Sequence, residues 1–138
     1  ELALHSHKEF IYAAGDATMC YSKEKCKEAI RQFVYLKPDT FVIFDRVESV
    51  RADQKKEVLF HALNEPVKAA DKLYRFDDAS SLFIQTILPE KAISTVVGGP
   101  GKEFWASGRN WLPEGGKNWD KKYRLTGKWR VEVADNAK

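Results

Sequence analysis

Cysteine, histidine and methionine are scarce in this chain: 2, 3 and 1 among 138 residues. Two cysteines cannot build a disulfide framework, and together with three histidines they supply at most one sparse metal site. Apolar runs are short, and none approaches the roughly 20 residues that a membrane-spanning helix needs. Glycine (8) and proline (5) are too few for a collagen-like or low-complexity chain. Charge of one sign is also limited. Lys and Arg number 23 against 20 Asp and Glu, a net +3, which permits an acidic ligand without demanding one. The length fits a single domain, residues 1–138, with enough chain for a core. The first residue is Glu1, and no charged, apolar and small-residue succession marks a secretion signal. That pattern leads us to expect an excised piece of a longer protein, although a mature chain stripped of its signal has the same appearance.

What the chain does have is strand pattern. Glu28 to Leu36 is rich in β-branched and aromatic residues, Lys37 to Thr40 reads as a turn with Pro38 fixing one φ, and Phe41 to Val47 follows at once. Two such runs predict a β-hairpin. Val58 to Leu63, Leu73 to Phe76, Ser81 to Leu88 and Ile93 to Val97 are further short runs. Lys128 to Val133 alternates cleanly, with Trp129, Val131 and Val133 on one face and Arg130 and Glu132 on the other. Phe41 to Phe44 is apolar at every position, which predicts a central strand covered on both sides. Asp45 and Arg46, adjacent on a strand, point to opposite faces and must each find a partner across strands. Helical signal is confined to Ser22 to Arg31, where Ser22 suits a cap; one or two turns near residues 22–30, or an exposed strand, both fit. The fold class expected is all-β, an antiparallel β-sandwich.

Residues 97–123 stand apart, holding six of the eight glycines and Trp105, Trp111 and Trp119. A long Gly-rich loop carrying this many tryptophans predicts an ordered segment that displays aromatics. Gly98-Gly99-Pro100-Gly101-Lys102 resembles a phosphate cradle only superficially. Glu103 stands where a Ser or Thr is needed, and Pro100 removes an N–H, so tight turns with glycines at positive φ are the better reading. Lys102, Trp105, Arg109, Asn110 and Trp111 are the candidate substrate-binding residues, with Lys117, Trp119, Lys121 and Lys122 extending the set. Indole faces stack on the C–H surfaces of sugar rings, and Lys and Arg neutralise carboxylates or sulfates. The same composition also suits single-stranded nucleic acid or a protein interface.

Other candidates carry less. His5 and His7 share a face if that segment is a strand, with Asp16 or His61 as a third zinc ligand, but histidines near a terminus are commonly just solvated. His61, inside an apolar run, is expected to be a hydrogen-bonded core or edge residue. Cys20 and Cys26 fit a small disulfide loop, and two free thiols at least as well.

Several segments in order carry a resemblance. They are Tyr12-Ala-Ala-Gly-Asp-Ala-Thr18, Tyr21-Ser22, Arg31 to Asp39, Phe41 to Val47, His61 with Asn64-Glu65-Pro66, Leu88-Pro89, and Val97-Gly-Gly-Pro-Gly-Lys-Glu-Phe-Trp105. This series resembles the C-terminal β-rich part of heparinase II/III-like polysaccharide lyases, closest to the heparinase II branch, over nearly the whole chain. The resemblance implies a parent enzyme with an α/α toroid and an upstream β-sheet as the partners of this chain. It implies an acidic, uronate-containing polysaccharide as substrate, cleaved by β-elimination after removal of the proton α to the carboxylate. Its catalytic Tyr and His and its structural zinc are expected outside this chain. No catalytic residue, no metal ligand and no cofactor is therefore assigned here, and the isolated chain is expected to be inactive. A periplasmic or secreted location is implied, a homodimer is compatible, and no nucleic-acid or membrane partner is expected. The alternative reading is an autonomous carbohydrate-binding module for acidic glycans.

Overall fold

A computed structural model describes residues 2–112 and 127–135. The chain is all-β. Twelve strands and a single 3-10 turn at Thr18–Cys20 account for its regular structure among the described residues, and every strand pairing is antiparallel. Contacts group the chain into two compact units, Glu1–Lys56 and Glu57–Asn136.

The first unit is a four-stranded meander in the order β1 (Leu2–Ser6), β2 (Phe10–Asp16), β3 (Cys26–Leu36), β4 (Thr40–Ser49). The segment from Ser22 forms a short turn, not a helix. Lys25 and Cys26 N–H both donate to the Ser22 carbonyl, and Ser22 Oγ accepts from Glu24 N–H. From Cys26 onward the chain is recruited into the ladder with β4, which outweighs a weak local helical preference. Asp45 and Arg46 find the cross-strand partners their alternation requires: Arg31 grips Asp45 with two bonds (2.7 and 2.6 Å), and Arg46 bonds Glu28 at 2.5 Å. Phe41 to Phe44 departs from expectation. β4 is an edge strand among the described residues, and Phe41, Val42, Ile43 and Phe44 are each more than 40% exposed. Apolar side chains on both faces call for cover on both faces, and among the described residues of this unit only Ala29 is buried.

The second unit is a small sandwich. One layer is β5 (Glu57–Ala62), β12 (Trp129–Ala134) and β9 (Ile93–Gly98), with β12 central; the other is β6 (Val67–Ala70), β7 (Leu73–Asp77) and β8 (Ser81–Gln85). Register aligns Val131 with Phe60 on one side and Val96 on the other, so these side chains share a face. That face meets Tyr74 and Phe76 of β7, and Tyr74, Val131 and Val133 form the buried core. The Tyr74 hydroxyl donates to Ser94 Oγ at 3.1 Å, which satisfies the one polar atom that Tyr74 carries into the core. The alternation read from Trp129 to Val133 is the one observed: Arg130 and Glu132 lie on the opposite face.

Candidate functional site

The face of β12 that carries Arg130 supports the loop from Gly98 to Trp111. Arg130 is only 7% exposed. Its guanidinium bonds Glu132 Oε1 at 2.9 and 2.6 Å and donates to the Trp105 carbonyl at 2.5 Å. This side chain therefore ties a backbone carbonyl of the loop to the central strand. The glycines begin the loop for a steric reason. A Cβ on Gly99 (φ 75°) would fall 2.6 Å from the indole of Trp129, and one on Gly98 (φ 149°) would fall 2.3 Å from the Lys128 carbonyl. The indole of Trp129 lies on bare backbone, so the glycine run is a packing and turn device, as its positive φ values also require.

Beyond Lys102 the chain makes a short hairpin of β10 (Trp105–Ala106) and β11 (Arg109–Asn110). Its two connecting residues, Ser107 (φ 50°) and Gly108 (φ 80°), both have positive φ, as the tightest hairpin turns demand. Glu103 and Asn110 lock the base. Asn110 Oδ1 accepts from Phe104 N–H, and its Nδ2 donates to Glu103 Oε2, both at 2.8 Å. Gly101 N–H donates to the same Glu103 oxygen at 3.1 Å. Burial alone raises the Glu103 carboxyl. The hydrogen bonds from backbone N–H groups and Asn110, with nearby Lys128, outweigh it and hold the group below its ordinary 4.5.

The two indoles each meet a cation. The Arg109 guanidinium carbon lies 3.1 Å from the ring centre of Trp111, a face-on stack, and Lys102 Nζ is 5.7 Å from that of Trp105. Trp111 Nε1 donates to the Ala106 carbonyl at 2.9 Å, fixing the indole across the hairpin while 52% of the residue stays exposed. Lys102 and Arg109 are exposed, Trp105 is half-buried, and Asn110 is half-buried with both amide atoms engaged internally. The five candidate residues thus belong to one hairpin and its approach. Lys117, Trp119, Lys121 and Lys122 lie outside the described residues. Arg130 was not among the sequence candidates. Alternation alone places it outward, and only the hairpin above it turns that position into an anchor.

The histidines and thiols are placed elsewhere. His5 and His7 flank the ring of Phe10 at 5.8 and 5.2 Å, and His7 Nδ1 accepts from Glu9 N–H at 3.3 Å. Among the described residues no three His, Cys, Asp or Glu side chains converge, so His5, His7 and Asp16 form no zinc ligand set. Asp16 instead caps Thr18, whose N–H donates to it at 2.9 Å. His61 is exposed on the edge strand β5, with Nδ1 3.4 Å from the Gly127 carbonyl. Cys20 and Cys26 are free thiols, the first exposed and the second half-buried with Sγ 3.2 Å from the Glu28 carbonyl.

No protein-family model matches the chain, and no curated protein matches it either.

Proposed function

We propose that this chain is the C-terminal β-domain of a heparinase II/III-like polysaccharide lyase, and that its part in the reaction is to hold the acidic polysaccharide. The observation that carries the reading is the Trp111–Arg109 pair. A half-exposed indole, fixed across the hairpin by its own N–H, has a guanidinium laid on one face. A pyranose ring stacks on the exposed part of such an indole through its C–H groups, while its carboxylate or sulfate meets Arg109 and Lys102. In this reading Lys102, Trp105, Arg109 and Trp111 contact the glycan. Asn110 acts one step back, holding Glu103 and the Phe104 backbone so that the indoles keep their places. No residue of the chain is assigned a role in proton abstraction. That chemistry belongs to the toroid and upstream sheet of the parent, in the periplasm or outside the cell.

The open sheet of the first unit favours a domain of a larger protein over an autonomous binding module. Phe41 and Ile43 point to one side of it and Val42 and Phe44 to the other, all exposed. Contiguous apolar surface of this kind marks a place where other protein docks. The test is calorimetric titration with heparan sulfate, chondroitin sulfate and alginate, alongside ultraviolet detection of the double bond that β-elimination creates. Binding of at least one glycan with no double bond formed supports the proposal. Turnover by this chain alone, or no heat with any of them, overturns it.

A further inference from the structure

We propose that β4 is a self-association edge, pairing antiparallel with β4 of a second copy about a two-fold axis at Val47. The proposal is independent of polysaccharide binding. Three hydrogen bonds set the direction of the backbone groups along the meander. Val50 N–H donates to the Lys25 carbonyl, Lys37 N–H to the Glu9 carbonyl, and Ala17 N–H to the Ala29 carbonyl. By strict alternation, the even-numbered residues of β3 and β4 bond each other, pairing Leu36 with Thr40, Val34 with Val42 and Ile30 with Arg46. The N–H and C=O groups of Phe41, Ile43, Asp45, Val47 and Ser49 consequently point away from the sheet. β4 has 10 residues and no proline, and the bulge at its end, opposite Glu48 and Ser49, inserts its extra residue into β3. Among the described residues none of the usual devices that blunt an edge strand, apart from its charged residues, is present.

Those charged residues select the partner and the register. A two-fold axis normal to the sheet must pass through a residue facing its own copy. Centred on Val42, the pairing sets Asp39 against Asp45. Centred on Thr40, Phe41, Ile43, Phe44 or Ser49, it sets a carboxylate against an apolar side chain: Asp39 against Phe41 or Ile43, Asp45 against Phe41 or Ile43, and Glu48 against Val50. Centred on Asp45, Arg46 or Glu48, it sets each of those charges against itself. Centred on Val47, it places Arg46 opposite Glu48 in both copies, Val47 opposite Val47, and Phe44 opposite Val50. Val47 has an outward-pointing backbone, so this centre is a hydrogen-bonded pair. Arg46 and Glu48 then occupy the flanking close-approach positions, where side chains are nearest. Both keep capacity for a second partner. Arg46 already bonds Glu28 and Glu48 already bonds Lys27 at 2.8 Å, yet their side chains remain 60% and 62% exposed. The apolar members, Phe44, Val47 and Val50, are exposed in the single chain.

The test is sedimentation of the intact 138-residue chain across concentration, without glycan. The expected result is a reversible monomer–dimer equilibrium. Arg46→Glu and Glu48→Arg should each weaken it by about tenfold, because two symmetry-related attractions become repulsions. The double reversal Arg46→Glu/Glu48→Arg should restore it. Where a variant fails to fold by circular dichroism, hydrogen exchange on the unaltered chain decides: the Val47 amide should gain protection with concentration, and the Arg46 amide, already in the β3 ladder, should not. A chain that stays monomeric up to roughly 1 mM overturns the proposal. So does a dimer indifferent to both single reversals, or a Val47 amide whose protection is independent of concentration.

Discussion

Arg130→Met is the perturbation that most cleanly separates the support of the hairpin from its recognition surface. Methionine keeps most of the volume and deletes the charge. Two things are lost: the bonds to Glu132 and the bond to the Trp105 carbonyl. Removing one partner of a fully buried pair costs roughly 3–5 kcal/mol. Here the Glu132 side chain is 23% exposed and regains some water. The expected loss of unfolding free energy is therefore about 2 kcal/mol, because that solvation offsets part of the penalty. In a urea titration followed by tryptophan fluorescence, that corresponds to a midpoint about 1 M lower. The double variant Arg130→Met/Glu132→Leu leaves no stranded charge and should recover more than half of the loss. It does not restore the carbonyl anchor, so glycan affinity should stay low in both variants while stability returns in the second. A single variant within about 0.5 kcal/mol of the parent, or a double variant that regains affinity along with stability, refutes the anchoring argument.

Other consequences are simpler to check. Gly99→Ala must seat a Cβ 2.6 Å from the Trp129 indole at φ 75°, whereas Gly101→Ala meets nothing within 4 Å; thermal melts should show the first clearly more destabilised, and the second losing only the roughly 1–2 kcal/mol of left-handed backbone. Tyr74→Phe removes the bond to Ser94 and leaves the ring in place, so chemical denaturation should show a loss of about 1 kcal/mol. Glu103 has a lowered carboxyl in the folded loop, so its contribution is fully present above its ordinary 4.5 and is lost as pH falls through its lower folded value; in Glu103→Gln, the part of the acid-induced change in Trp111 environment that accompanies this protonation should vanish. A thiol reagent should modify exposed Cys20 faster than half-buried Cys26 in the native chain.

The final strand was legible because its alternation is strict and its sheet has one buried face. Val131 and Val133 went inward and Arg130 and Glu132 outward, as period-2 patterning requires. β4 was legible as a strand and illegible as an edge. Four successive apolar residues report that both faces need cover, and they do not say whether this chain supplies it. β1 went unread because Leu2–Ser6 relies on Ala, His and Ser, and β2 because its strand formers, Phe10 to Tyr12, give way at once to Ala13-Ala14-Gly15. At the candidate site, residue type and proximity in sequence were enough to group Lys102, Trp105, Arg109 and Trp111. They were not enough to separate Asn110, whose amide is consumed within the loop, or to find Arg130, 19 positions beyond Trp111 in the numbering. Contacts across that distance come from the fold, and local pattern does not encode them.

Calorimetric titration of the chain and of Trp111→Ala with the tightest-binding of the three glycans decides whether the Trp111–Arg109 hairpin holds an acidic polysaccharide. Measurable binding by the unaltered chain is expected, weakened by roughly tenfold or more once the stacking face is gone, on the scale of about 1–3 kcal/mol that aromatic stacking supplies. Unchanged affinity in a folded Trp111→Ala would contradict it.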